Sequence, residues 1–272
     1  RHPLLIDADM RLHQASRMVV GHSAEKAYER FVITDRGRYA GLGRIIDLLH
    51  QLTDLQISTA RHANPLSGLP GNVPLYAHIN SLLQRDLNFV LVLFDLDSFK
   101  PFNDYYGYAK GDEALYTVAR LLSDHAGPKI DFVGHVGGDD FLVVFRSADW
   151  ELRVKRMFSA FTRSLPSLYV PEHLRDGGLT TRDRYGVERH FPLLSMSAAG
   201  LVCEPPIEED AESLAFHLAP LRTEAKQHRG NTLRQGTLAT LTRPEPGAGE
   251  VVHLVPNSTP KKRGQQARGR GD

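Results

Sequence analysis

Two clusters of carboxylates carry the chemistry open to this sequence. Asp95 and Asp97 close a continuous apolar run from Phe89 to Phe94, and Asp139 and Asp140 follow the paired glycines Gly137 and Gly138. A run without polar alternation reads as a strand buried on both faces. An ionised carboxylate beside such a strand is costly unless a cation or hydrogen bonds compensate it. The second cluster lies between Ile130–Val136 and Phe141–Phe145, which read as strand, tight turn and strand, with the glycines supplying the positive φ of a hairpin. If these strands are neighbours, Asp95 and the Asp139–Asp140 pair share one or two Mg²⁺ ions, which favour carboxylate and phosphate oxygens. Either cluster alone reads as an acidic turn facing water. Together, with glycines and an asparagine between them, they read as a nucleotide site.

The elements that position these residues follow from periodicity. Asn64 to Asn72 is turn-rich, and Leu75, Ile79, Leu82 and Leu83 then mark an amphipathic helix leading to the Phe89 strand. After that strand, Gly107 and Gly111 punctuate a loop, and Glu113 to Asp124 reads as a helix. Trp150 to Leu165 is a second helix, with Leu152, Val154, Met157, Phe158 and Phe161 inward. Pro166 to Phe191 contains a charged ribbon turning near Arg184-Tyr-Gly186. Pro192 to Ala199 is the next core strand, Leu214 to Arg229 a helix, and Leu233 to Leu241 a last strand. From residue 243 to 272, Pro, Gly and basic residues predict a disordered tail.

Residues 1–62 read as a separate unit. A short strand at Pro3–Asp7, a helix over Met10–Val20, a hairpin turning at Asp35-Arg-Gly37 and a helix from about Arg44 to His62 follow one another. Ile45, Leu48, Leu52 and Leu55 form a heptad-like seam, which serves equally as the packing face of the unit or as a dimer seam.

The ordered motifs NPLSGLPGN (Asn64–Asn72), FDLDSFKPFNDYYGYAKGDEAL (Phe94–Leu115) and VGGDDF (Val136–Phe141) resemble a GGDEF, or diguanylate cyclase, domain over residues 63–242. The resemblance implies an α+β fold, a ferredoxin-like nucleotidyl-cyclase palm with a central antiparallel sheet of five strands flanked by helices. It implies GTP as substrate and cyclic di-GMP as product, formed by two GTP-loaded domains facing each other in a homodimer. Asp95, Asp139 and Asp140 are then the catalytic carboxylates. Mg²⁺ or Mn²⁺ is held by Asp95, the Leu96 carbonyl and Asp140, with Asp139 assisting the metal or removing the 3′-hydroxyl proton. Asn103 and Asp112 read the guanine edge. Backbone amides around Ser98 and Phe99, with Lys226 and Arg229, meet the phosphates. The last pair belongs to a departure, Ala225-Lys226-Gln-His-Arg229-Gly230-Asn231, in which Arg and Gly are exchanged relative to the family. The signature carries Asp140 where the family has Glu, one methylene shorter, and a shortfall of about 1 Å costs roughly 100-fold where a reacting group is displaced. The product-inhibition motif stands as Pro128-Lys-Ile-Asp131, without its arginine, which implies loss of feedback by cyclic di-GMP.

PLLIDADMRL, FVITDRGRYAG and RIIDLL resemble one small α/β CBS motif, half of a pair. The resemblance implies a second CBS motif upstream or in another chain. The hydroxyl that such pairs place before an Asp of the last helix is replaced, since Arg44 stands three residues before Asp47. The charged ribbon resembles an insertion in proteins that join an EAL phosphodiesterase domain, CBS motifs and GGDEF, so an upstream EAL domain is expected. A GTP-binding module that regulates such a domain is therefore an alternative to an active cyclase.

Composition excludes other classes. With 33 Lys+Arg against 32 Asp+Glu, a formal charge of +1, no global field favours nucleic acid or an anionic membrane. The one cysteine, Cys203, excludes an intramolecular disulfide and fits a reducing cytosol. No apolar run approaches the roughly 18 residues of a membrane span, and no signal-peptide pattern opens the chain. A cytoplasmic setting is expected. Gly41-Leu-Gly43 lacks the later glycine of a dinucleotide loop, and the 13 histidines show no zinc spacing.

Overall fold

The computed structural model describes residues 3–10, 14–15, 17–19, 30–182, 186–239 and 250–253, without the side chains of 52, 54–61 and 250–253. The chain divides into two compact units, Arg1–Pro74 and Leu75–Asp272.

In the first unit, β1 (Leu5–Asp7) runs parallel to β2 (Arg30–Asp35), and β2 pairs antiparallel with β3 (Arg38–Arg44). The β2–β3 turn holds Arg36 and Gly37 at φ of 48° and 77°, the double positive φ of a two-residue hairpin. Helix α1 (Ile45–His62) follows, with Ile45 and Leu48 in a core shared with Ile6, Ala15, Val19 and Phe31. The first half of the heptad-like seam is thus the packing face of its own unit. Leu52 and Leu55 have side chains outside the described residues. Arg44 grips Asp47 through two hydrogen bonds of 2.7 and 2.6 Å, so the helix start is closed by an exposed ion pair. The segment before the next helix is tied by Asn64, whose side-chain oxygen accepts from Leu66 N and Ser67 N at 3.0 and 3.1 Å. Gly71 N donates to His62 O at 2.7 Å, and a Cβ on Gly71 would stand 2.8 Å from that oxygen.

In the second unit, β4 (Phe89–Asp97), β5 (Phe132–Gly137), β6 (Asp140–Phe145), β9 (Ser195–Cys203), β10 (Thr232–Thr237) and β11 (Glu250–His253) form a sheet in the order β11-β10-β9-β4-β6-β5. Helices α2 (Asn72–Leu83) and α7 (Ala211–Lys226) meet one face, where Leu75, Ile79, Phe89, Leu91, Leu142, Leu201, Leu214 and Leu218 share a core. The opposite residues of β4, Val90, Val92, Phe94 and Leu96, are buried in turn. Phe94 meets Phe158 of α5 (Trp150–Leu168) edge to face. This α+β arrangement is the expected one, with two corrections. Among the described residues the sheet has six strands rather than five, and β9 and β10 are parallel, because α7 connects them as a crossover helix and such a connection returns the chain in the same direction. Residues 250–253 extend the sheet antiparallel to β10, where a disordered tail was expected; residues 240–249 and 254–272 lie outside the described residues.

Helix boundaries also differ. The expected loop after β4 is α3 (Phe99–Tyr106), broken by Gly107 at φ 84°, and α4 begins at once (Tyr108–His125). Gly111 is a helical residue, and a Cβ there would lie 1.8 Å from Asn103 Oδ1. Leu152, expected inward, is 47% exposed in the first turn of α5. The ribbon is α6 (Pro171–Asp176) followed by the two-stranded sheet β7 (Gly178–Arg182) and β8 (Glu188–Pro192). Arg184 and Tyr185 of its expected turn lie outside the described residues, and Gly186 has φ 76°. No described helix is long and apolar enough to cross a membrane.

Cys203 is fully buried at the end of β9, and burial pushes its thiol up to about 12. A thiolate is the reactive form. The folded protein is expected to resist a chromogenic disulfide reagent near neutral pH and to react fully once denatured; fast reaction of the native chain would contradict this packing.

Candidate active site

Strand alternation decides where the carboxylates point. Phe89, Leu91 and Leu93 face α2 and α7, so two-residue periodicity carries Asp95 and Asp97 to the same face. Asp95 pairs in register with Asp140 on β6. The β5–β6 turn, with Gly138 at φ 56°, sets Asp139 beside them. Ligand oxygens of Asp95, Asp139 and Asp140 all lie within 4.8 Å of one another. Asp95 is 1% exposed, the other two half-buried.

Three like charges this close need compensation, and α7 supplies it. Asp210 caps the helix by accepting from Ser213 N at 2.8 Å. From there the row Leu214, Leu218, Arg222, Lys226 repeats every four residues along one face. Its first two members pack in the core, and its last two reach the carboxylates. Arg222 Nη2 contacts Asp95 Oδ2 and lies 2.8 Å from Asp140 Oδ1, while Lys226 Nζ lies 2.6 Å from Asp95 Oδ1. These last two approaches are ion pairs without hydrogen-bond geometry: Asp95 Oδ1 and Asp140 Oδ1 remain buried and without a hydrogen bond. Oxygen-only donors with unsatisfied lone pairs suit a hard divalent cation.

Asp97 has a different fate. Ser195 Oγ and Ser197 Oγ on the neighbouring strand donate to it at 2.8 and 2.7 Å, so its oxygens are satisfied by protein. Burial raises its pKa, partly offset by these serines. Burial also raises Asp139, with Asp95's charge adding to it. Asp140 is pushed up to about 6, first by burial and then by the neighbouring Asp95 carboxylate.

The sign of the resulting stability effect is fixed. A carboxyl whose folded-state pKa exceeds its unfolded value binds more protons in the native state between those two values. The Asp140 contribution is therefore fully present below the unfolded value, near pH 4, and is lost as pH rises through about 6. Metal-free protein melted across this range is expected to lose more stability with rising pH than its Asp140→Asn variant; parallel profiles would refute the assignment.

The other expected residues distribute as follows. Ser98, at φ 61° in the left-handed region, turns the chain from β4 into α3, so the first-turn amides of α3 at Phe99 begin where the carboxylates end. A non-glycine residue in this conformation is uncommon and concentrates at functional sites. Asn103 packs over Gly111, and its Oδ1 is buried without a partner. Asp112, next to Gly111, is exposed on α4. Both therefore stand on helices, rather than in the loop expected before Glu113. Leu96 is buried in β4 between the two aspartates. Arg229 lies beyond the end of α7, exposed, and makes no ion pair with the carboxylates. Arg222 was missed: an arginine on a helix reads as a solvated charge, and only the four-residue row shared with Leu214 and Leu218 signals otherwise.

Asp131 has a structural assignment. Its buried carboxylate accepts from Gly127 N, Arg146 N, Ser147 N and Ser147 Oγ at 2.6, 2.9, 3.0 and 2.9 Å, closing the loop before β5. A carboxylate so engaged is not presented to a ligand.

Tyr106 joins the ribbon to α3. Its hydroxyl meets His173 Nδ1 of α6 at 2.5 Å and accepts from Val170 N at 3.3 Å. Phe102, Tyr105, Tyr106, Tyr169 and His173 stack edge to face or tilted around it. The ribbon thus steadies the helix that carries Asn103.

Part of the chain is similar in sequence to known diguanylate cyclases. Diguanylate cyclase DgcN of Escherichia coli (strain K12) is 31% identical over 128 residues, covering 46% of this chain and 30% of that protein. Diguanylate cyclase DgcP of the same organism is 28% identical over 176 residues, covering 63% and 46%. The chain thus spans under half the length of either relative. The crystal structure of diguanylate cyclase SiaD with its activator SiaC from Pseudomonas aeruginosa superposes with a TM-score of 0.52 at 20% identity, covering 70% of this chain and 68% of that one. The coiled coil and GGDEF domain of DgcB from Caulobacter crescentus, in complex with c-di-GMP, gives 0.50 at 17%, covering 70% and 93%. At such identities the structures establish the fold. The family model "Diguanylate cyclase, GGDEF domain" matches residues 62–176, and a GGDEF diguanylate cyclase domain is the family that this match and these relatives support for the segment.

Proposed function

We propose that this chain condenses two GTP molecules to cyclic di-GMP as one half of a homodimer. The observation that carries the reading is the convergence of Asp95, Asp139 and Asp140 within 4.8 Å at the end of β4, where α3 begins. The buried, unbonded oxygens of Asp95 and Asp140 fit Mg²⁺ or Mn²⁺, with the Leu96 carbonyl as a further ligand. When bound, such a cation supplies positive charge beside the α-phosphate and lowers the cost of charge development there.

The remaining work falls to the chain's own groups. Amides at Ser98 and Phe99, at the start of α3, hold phosphate oxygens. Lys226 adds a cation beside them, and Arg229, exposed beyond the helix, is the weaker contributor. Asn103 and Asp112 read guanine: a carboxylate accepts from the base N1 and N2 donors, and the unpaired Asn103 Oδ1 awaits a donor. Asp139, raised by burial, is the group for the 3′-hydroxyl proton. One nucleotide per domain makes two facing copies necessary, a two-fold arrangement.

A second reading is supported by Arg222. A guanidinium against Asp95 and Asp140, with Asp140 shorter than the family's Glu, favours a module that binds GTP and regulates a linked EAL domain. The first unit reads as half a CBS pair: Leu5, Val32 and Leu42 are cross-strand partners in one row, and Leu5 and Leu42 are 55% and 53% exposed. That uncovered row suits a second motif.

Incubation of the purified chain with GTP and Mg²⁺ or Mn²⁺, with cyclic di-GMP followed by chromatography beside Asp139→Ala, separates these. Product lost in the variant supports the cyclase. GTP binding without product supports the regulatory module.

A further inference from the structure

We infer that Arg222 is an internal counter-ion occupying the cation position between Asp95 and Asp140, so that this side chain competes with the divalent metal and keeps the site from loading metal alone. The inference rests on the reading of these carboxylates as metal ligands. Asp95 and Asp140 are register partners on adjacent strands, and a single guanidinium nitrogen reaches both, contacting Asp95 Oδ2 and standing 2.8 Å from Asp140 Oδ1. With Lys226 at 2.6 Å from Asp95 Oδ1, two basic residues one helical turn apart cover three of the oxygens that a metal would use. Guanidinium stays charged at any working pH, so proton loss cannot vacate the position.

Geometry also separates what can move from what cannot. Asp95 lies in the central strand β4, hydrogen-bonded on both sides and 1% exposed, whereas the Arg222 side chain is 34% exposed and opens to solvent. The arginine is the partner able to withdraw. A purely structural ion pair and a competing counter-ion predict opposite signs. Losing a structural partner would loosen the carboxylates and weaken metal binding; losing a competitor would strengthen it.

The test is Mn²⁺ affinity of the full chain without nucleotide, by calorimetry or by the free-ion paramagnetic signal, for wild type, Arg222→Met, Arg222→Lys and Asp95→Asn. Arg222→Met is expected to bind Mn²⁺ about tenfold more tightly than wild type, a change that corresponds to one lost ion-pair competitor. Arg222→Lys, which keeps the charge but lacks the fork, is expected to fall between them, and it carries the test if Arg222→Met does not fold. Equal or weaker binding by the folded Arg222 variants overturns the inference while leaving the metal site standing. Mn²⁺ binding unaffected by Asp95→Asn, or absent from every variant, overturns the metal-site reading itself.

Discussion

Asparagine at Asp95 is expected to lower cyclic di-GMP formation roughly 100- to 1,000-fold, the range for losing one group that stabilises developing charge in a buried site. The substitution keeps shape and removes one negative charge at the point where Arg222, Lys226, Asp139 and Asp140 converge. Because Arg222 retains its 2.8 Å approach to Asp140, the site does not lose all of its pairing. The fold is therefore expected to persist with a lower melting temperature, since breaking a buried pair is destabilising. Product measured by chromatography on samples matched by circular dichroism decides it. Turnover at the wild-type level would remove Asp95 from the mechanism.

Alanine at Gly111 is expected to weaken GTP binding about 10- to 100-fold, while altering turnover at saturating GTP far less. The new Cβ would stand 1.8 Å from Asn103 Oδ1 and 2.8 Å from Cγ, so either that side chain leaves its place or α3 and α4 separate. Helix α3 has little freedom to retreat, because Tyr106 is tied to His173 and Phe102 is fully buried. The side chain is thus the part that yields. Its Oδ1 is buried with no partner. Leaving one buried polar group unmatched costs about 1–3 kcal/mol, which is the stated loss in affinity. Calorimetry with GTP and Mg²⁺ checks it, with ATP as the comparison. Unchanged GTP affinity would show that Asn103 does not read the base.

Much of the fold was legible because the signals are local. The unbroken run Phe89–Phe94 identified the central strand, and the paired glycines before Asp139 marked the hairpin that carries it. Helices α2 and α5 followed from apolar spacing. The loop after β4 was misread because its two glycines have different causes. Gly107 breaks a helix through its φ of 84°, whereas Gly111 is helical and lies against Asn103, which leaves no room for a Cβ. No local pattern distinguishes a glycine needed for its backbone from one needed for its size.

By sequence alone, the types and order of the acidic residues, the turns that expose them and the motifs that resemble a nucleotide cyclase were determined. Tertiary structure decided the partners. The register of β4 against β6 set Asp95 opposite Asp140, and β9 placed Ser195 and Ser197 where they satisfy Asp97 and leave Asp95 for a cation. The crossover of α7 brought Arg222 to a carboxylate 127 residues earlier in the chain. The physical reason is that charge compensation depends on distance in space. A carboxylate's role is set by which counter-charge or donor the packed sheet delivers to it, and sequence separation carries no information about that.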